Sequence, residues 1–345
     1  KVFPLYTFQN DYSEGCHPAV LEALVRTNLE HTSGYGVDPY CEEARGLIKE
    51  AFGCPEADVH FLVGGTQTNQ TAIAAFLRPW EAAVCTSLGH IAVHETGAVE
   101  ATGHKVITCP SEDGILTPEM VRAAVAAHPD EHMVKPKLAY ISDSTEVGTI
   151  YRREQLYALR ETCDELGLYL YLDGARLGSA LASDENDIRP SDLPACCDAF
   201  YVGGTKNGAM FGEALVIMNE KLKPDFRYGI KQRGGMLAKG RLLGVQFGAL
   251  FKGGLEDSVW MEIGRHENGL ARKLQDGIVK AGYPLLVRSP SNQVFPIFPD
   301  GLVEKLAEGF KFEVQKKFPD GKTCIRLVTS WATEEEAVDA FLKAI

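Results

Sequence analysis

The sequence predicts an α/β fold: a mainly parallel sheet with helices on both faces, followed by a smaller α+β C-terminal domain. Three observations carry this expectation. Short apolar runs recur from Val59 to Met218 and are separated by segments with helical spacing, the mark of strands buried on both faces. Two of the runs end in glycine-rich turns, Gly64-Gly65-Thr66 and Gly203-Gly204-Thr205, where such a sheet gathers its ligands. Beyond Glu220 the alternation stops. We therefore expect residues 1–245 to form an N-terminal arm and the large domain, and residues 246–345 the small one.

An arm carrying Asn10-Asp11-Tyr12 precedes a helix over 17–31, which Pro18 opens and which places Val20, Leu21, Leu24 and Val25 on one face. The glycine-rich segment 33–39 reads as an ordered loop, and 40–52 as a helix ended by Gly53. Strand 59–63 runs through Gly64-Gly65-Thr66-Gln67-Thr68-Asn69 into a helix whose apolar part is 73–77. Further buried strands are expected at 83–86, 106–109, 138–142, 168–172, 199–202 and 214–218. Helices are clearest at 118–127 and 153–166. Helices 240–251 and 258–281 then lead into the small domain's strands 294–298 and 323–329 and a closing helix over 334–345.

Composition narrows the function. The 345 residues carry a net charge of -12, with no basic block interleaved with aromatics, which argues against a nucleic-acid partner. No apolar run approaches the ~20 residues needed to span a bilayer. The first residues carry neither the basic nor the apolar segment of a secretory signal, although a start at Lys1 leaves a trimmed leader open. Nine cysteines without C-x-x-C spacing point to free thiols in a reducing, cytoplasmic setting.

Two residues at strand ends carry the chemistry. Lys206 follows strand 199–202, and Asp173 follows the strand before it. A lysine amine that forms a Schiff base with an aldehyde, beside a carboxylate that holds a pyridine nitrogen protonated, is the pairing that pyridoxal 5'-phosphate chemistry requires. The alternatives are a surface lysine and a helix N-cap aspartate. The strand, glycine turn and helix start at Gly65-Thr66-Gln67 aim free amides at one point and suit the phosphate. His90 fits a ring-stacking imidazole. Paired with His94 it does not match a zinc motif, so no metal is expected. Arg176, and Arg326 within a strand, need anionic partners, which an amino-acid carboxylate would provide; surface ion pairs are the alternative. Glu146 ends a buried strand and is a candidate general base, or a turn cap.

Taken in order, Tyr35-Gly36-Val37-Asp38-Pro39, Gly65-Thr66-Gln67-Thr68-Asn69, His90 with Glu95, Asp173-Gly174-Ala175-Arg176, Lys206 and Arg326-Leu327-Val328-Thr329 resemble the threonine aldolase family, in the β-eliminating lyase group of fold-type-I pyridoxal phosphate enzymes. The resemblance implies retro-aldol cleavage of threonine or allo-threonine to glycine and acetaldehyde. It assigns Lys206 to the Schiff base, Asp173 to the pyridine nitrogen, His90 to stacking and proton handling, and Gly65, Thr66 and Gln67 to the phosphate. Arg176 and Arg326 would hold the substrate carboxylate, with Asn10 where the family usually has serine. It further implies a homodimer or homotetramer in which Tyr35, Lys231 and Arg233 reach a neighbouring subunit's cofactor.

Two departures stand out. Glu146 replaces a histidine common in the family, and the usual arginine after Gly234-Gly235-Met236 is missing, with Lys239 or Arg241 as substitutes. Competing readings are a β-eliminating lyase or aminotransferase, a non-catalytic protein of the same fold, and a nicotinamide enzyme. The last is weakened because no G-x-G-x-x-G follows the first strand.

Overall fold

Alternation along each central strand decides the architecture. The computed structural model describes residues 6–345; residues 1–5 of the expected arm lie outside the described residues. Strands β1 (Tyr6–Thr7), β2 (Asp58–Leu62), β3 (Glu81–Thr86), β4 (Val106–Cys109), β5 (Lys135–Ser142), β6 (Tyr169–Asp173), β7 (Ala199–Gly203) and β8 (Glu213–Ile217) belong to the first part of the chain. β2 to β8 form one seven-stranded sheet in the order β2-β8-β7-β6-β5-β3-β4, with β8 alone running against its neighbours. Ala139, Ile141, Leu170, Leu172, Phe200 and Val202 face one core, whereas Leu138, Tyr140, Tyr171, Ala199 and Tyr201 face the other. Since both sets are apolar, helices must cover both faces.

Helices α1 (Pro18–Thr27), α2 (Pro39–Phe52), α3 (Gly65–Phe76), α4 (His90–Val93), α5 (Pro118–Ala126), α6 (Arg153–Leu166), α7 (Leu177–Leu181), α8 (Asp192–Cys196), α9 (Phe226–Gln232), α10 (Arg241–Phe251) and α11 (Val259–Lys280) provide that cover. α3 and α9 pack on the face with the tyrosines, and α1, α2, α6 and α10 on the other. α3 starts eight residues earlier than its apolar part suggests, because Gly64 extends the chain and the polar first turns still bury Thr68, Asn69 and Thr71.

The small domain adds β9 (Gln293–Val294), β10 (Ile297–Pro299), α12 (Asp300–Leu306), β11 (Phe310–Lys311), β12 (Glu313–Phe318), β13 (Lys322–Val328) and α13 (Glu335–Ala344). The single strand expected over 294–298 is two, divided at Pro296, which has no N–H to give to a ladder. Its sheet also contains β12, whose sequence EVQKKF is mostly exposed and carries no apolar pattern.

The boundary expected at 245/246 falls inside α10, which packs on the large domain. We place the division instead within α11. Its first turns, with Trp260, Met261 and Ile263, belong to the large core, and Leu270, Leu274 and Ile278 to the small one. The arm crosses between them, with Phe8 buried in the small core and its backbone bonded to Lys311 and Val328.

α11 crosses α7 through Gly264, where a β-carbon would collide with the Gly178 carbonyl. Gly264→Ala is expected to destabilise the fold by about 1–3 kcal/mol through overpacking, measured by denaturant unfolding against the wild type.

Candidate active site

Four strand ends and the start of α3 enclose a cavity of about 290 Å³. Its walls include Gly65, Thr66, His90, Glu146, Asp173, Arg176 and Lys206, so most of the expected site comes together. Register explains part of this. Ser142 of β5 pairs with Asp173 of β6, and Gly203 at the end of β7 leads to Lys206.

Asp173 is buried and held as an anion. Tyr140 donates its hydroxyl at 2.6 Å and Asn69 its amide at 2.9 Å to Oδ2, and the Ala175 N–H reaches Oδ1 at 3.0 Å. Burial alone would raise its proton affinity. The neighbouring His90 and the bonds from Tyr140, Tyr201 and Asn69 outweigh that and hold the carboxyl below its ordinary range. Asn69 Nδ2 also donates to Glu95 Oε1 at 2.8 Å, and the same oxygen sits 2.7 Å from His90 Nδ1. One asparagine thus links the two carboxylates and fixes the histidine ring.

Glu146 is half-buried. Its Oε1 accepts from Ser142 Oγ at 2.8 Å and from the His90 N–H at 2.9 Å, and neither bond involves Oε2. Burial raises its proton affinity above the usual carboxylate range, although the Ser142 bond opposes this.

Lys206 is half-buried, and desolvation followed by the nearby Arg176 lowers its proton affinity. At the start of α3 the N–H groups of Gly65, Thr66 and Gln67 have no partner among the described residues, and Gly64 provides no side-chain cap.

Several expected site residues are engaged elsewhere. Arg176 borders the cavity, but its Nε and Nη2 donate to Asp11 at 2.7 and 3.1 Å in a buried ion pair, which leaves Nη1 outside the pair. Asn292 of the small domain donates to the same Asp11 oxygen at 2.9 Å. Arg326 pairs with Glu313 at 2.6 Å, while its buried Nε has no partner. Asn10 caps its own turn, with Oδ1 accepting from the Tyr12 N–H at 2.9 Å. The Gln67 side chain turns away from the cavity, accepting from the Val63 N–H and donating to the Arg233 carbonyl at 3.1 Å.

Tyr35, Lys231 and Arg233 are not among the cavity walls; Lys231 Nζ lies 5.0 Å from the Tyr35 ring centre. Arg241 donates to the Asn28 and Glu30 carbonyls and is likewise remote. His94 packs 5.5 Å from His90, ring centre to ring centre. No group of three or more potential metal ligands occurs among the described residues.

Sequence reasoning passed over Asp11, Tyr140, Tyr201, Ser142, Tyr12 and Glu213. The available signal was two-residue spacing, which sets Tyr140 and Ser142, and likewise Tyr171 and Asp173, on one face of their strands.

The family model described as β-eliminating lyase matches residues 9–298. The chain belongs to the β-eliminating lyase family. It is 33% identical to the low specificity L-threonine aldolase of Pseudomonas aeruginosa, over 96% of this chain and 94% of that protein. The enzyme of the same name from Escherichia coli K12 is 28% identical over 67% of this chain and 68% of its own. A solved structure of Leishmania major threonine aldolase superposes with a TM-score of 0.96 at 48% identity, covering 98% of both chains. An aspartate aminotransferase from Thermus thermophilus, at 20% identity and a TM-score of 0.73 over 99% of this chain and 90% of that one, shares the fold.

As a member of this family the chain is a fold-type-I, pyridoxal 5'-phosphate-dependent lyase. The residues present fit that cofactor: a half-buried amine at Lys206 outside any ion pair, a buried anion at Asp173 and an uncapped helix start share one cavity.

The Asp11–Arg176 pair joins the arm to the large domain. Asp11→Asn leaves Arg176 without its counter-charge, and a loss of about 3–5 kcal/mol at neutral pH is expected in urea unfolding. Arg176 and the Asn292 bond hold the Asp11 carboxyl below its unfolded value of 3.8 against the effect of burial. Its contribution is therefore present above 3.8 and lost as pH falls from there through the lower folded value. The difference between wild type and variant should shrink over that acidic window.

Proposed function

We propose that the chain cleaves a β-hydroxy-α-amino acid of the threonine type, threonine or allo-threonine, to glycine and an aldehyde. The observation that carries this reading is the convergence of Lys206, Asp173, His90 and Glu146 on one cavity, in a chain so similar to proteins named threonine aldolase. Bound pyridoxal 5'-phosphate supplies an aldehyde for an amine and a ring that takes up the electrons of a bond breaking at Cα.

The chain's own residues do the rest. Lys206 offers the amine, and its lowered proton affinity enlarges the neutral, nucleophilic fraction. Asp173, kept ionised, holds a proton on the ring nitrogen. The amides of Gly65, Thr66 and Gln67 take the phosphate at a helix start, where free N–H groups and the helix dipole favour an anion. His90, its ring fixed by Glu95, lines the wall and handles protons.

Arg176 through Nη1, and Arg326 through its unpartnered Nε, are the guanidinium groups for the substrate carboxylate, with Asn10 beside them on the arm. Clamping that carboxylate selects which bond at Cα is aligned to break. Glu146 Oε2 takes the proton of the β-hydroxyl as the Cα–Cβ bond opens. Its raised proton affinity makes it a better proton acceptor than an ordinary carboxylate.

We further propose a cytoplasmic homodimer or homotetramer, with no nucleic-acid or membrane partner. All nine cysteines are free and buried, and no helix among the described residues is long and apolar enough to cross a membrane. Leu21, Val25 and Leu29 form an apolar stripe on and just beyond α1 that is 50, 69 and 87% exposed. Tyr35, Lys231 and Arg233, absent from the walls of this subunit's cavity, are then available to a neighbour's.

Purified protein with pyridoxal 5'-phosphate and each threonine stereoisomer is expected to release glycine and acetaldehyde without a keto acid. Product that forms only when a keto acid is added would instead indicate a transaminase. Lys206→Ala should abolish turnover, and Glu146→Gln, which keeps both hydrogen bonds on Oε1, should lower kcat by about 10²–10⁴-fold. For the assembly, Val25→Asp is expected to reduce the mass seen in sedimentation; an unchanged mass argues against α1 as the interface.

A further inference from the structure

A third acid borders the same cavity. Glu213 is the first residue of β8, paired in register with Gly203 of β7 and Leu62 of β2, and is 3% exposed. Its Oε2 accepts from the Gly204 N–H at 2.9 Å and its Oε1 from Thr205 Oγ1 at 2.7 Å. These are the two residues immediately before Lys206. Neither Glu213 nor Lys206 belongs to an ion pair among the described residues. A half-buried amine and a buried carboxyl, neither in an ion pair, thus border one cavity.

From this geometry we infer that Glu213 is the proton-exchange partner of Lys206, accepting the ammonium proton when the lysine must act as a nucleophile and returning it when the amine is set free. The inference rests on the pyridoxal phosphate reading above. The step balances without any further reagent: Lys206–NH₃⁺ and Glu213–COO⁻ become Lys206–NH₂ and Glu213–COOH. The proton passes within the cavity that both residues line, by a relay open to acid–base groups beyond direct contact.

Glu146, on the same cavity wall, is held by Ser142 and the His90 N–H and assigned to the substrate hydroxyl. The acids that face Lys206 besides Glu213 are poor partners for this exchange. Asp11 is committed to Arg176 and Asn292, and Asp173 to Tyr140, Asn69 and the Ala175 N–H; both are held as anions. Around Glu213 stand Lys206, Asp173 and the phenols of Tyr171 and Tyr201, and Arg176 and Tyr12 are also near the lysine. Burial raises the Glu213 carboxyl to about 7, opposed by its Thr205 and Gly204 bonds. It therefore changes charge in the range where the enzyme would work.

The test is made on the holoenzyme. Glu213→Gln can keep both hydrogen bonds, since its amide accepts from Gly204 and donates to Thr205, but it cannot carry the proton. The pH titration of the visible absorbance of lysine-bound pyridoxal phosphate is compared with the wild type. A midpoint lower by about one pH unit or more is expected, because the lost anion favoured the protonated nitrogen. In stopped-flow mixing, displacement of Lys206 by added threonine should slow at least tenfold, in keeping with the ~10²–10⁴-fold range of such catalysis. Coincident titrations and displacement rates would overturn the assignment.

Should Glu213→Gln fail to fold, Thr205→Val removes one bond that favours the Glu213 anion. It is expected to shift the midpoint partway in the same direction, and no shift would again refute the proposal. A wild type with the visible band but no cleavage of threonine sinks the reaction and not the role of Glu213. A wild type without the band sinks both.

Discussion

Inside this sheet one carboxylate has to remain charged, and much of the large domain is arranged around that requirement. Burying an isolated carboxylate costs several kcal/mol, so the group either takes up a proton or is surrounded by donors. Asp173 is surrounded. Tyr140 reaches it from the adjacent strand β5, Asn69 from α3, and the Ala175 N–H from its own turn. These contacts depend on the β5–β6 register and on where α3 begins. The same Asn69 passes the constraint on to Glu95 and so to His90. Strand order, helix start and histidine orientation are in this sense one electrostatic solution.

Much of that frame is legible in the amino-acid order alone. Strands buried on both faces are uninterrupted apolar runs, so the central sheet stands out, as do Lys206, Asp173 and the glycine turn before α3, whose chemistry is tied to strand ends. What stays hidden depends on long-range pairing. Asp11 reads as an ordinary arm residue until Arg176 and Asn292 close on it from two domains. Tyr140 and Tyr201 read as core aromatics, and only adjacency of their strands turns a hydroxyl toward Asp173. Edge strand β12 escapes because a strand with solvent on one side needs no apolar run. Gln67 has the right backbone for an anion, yet its side chain braces the Arg233 carbonyl, a contact between residues 166 apart.

Coupling between the domains is built into one helix. α11 enters the large core at Trp260, whose indole N–H donates to the Gly203 carbonyl at 2.8 Å, three residues before Lys206. It leaves through the small core at Leu270 and Leu274. Asp11 provides a second tie across the same seam. Movement of the small domain is therefore felt directly at the end of β7, where the reactive amine is held.

The threading of the arm also bears on how the molecule is made. Phe8 and Gln9 leave the ribosome long before their partners Val328 and Arg326, with Gln9 and Arg326 separated by 317 positions. Contacts of such sequence separation close slowly, because loop closure must precede their reward. The nascent N-terminal stretch has to wait, unpaired, until the last β-hairpin of the small domain has emerged, so docking of this strand is a late event in maturation.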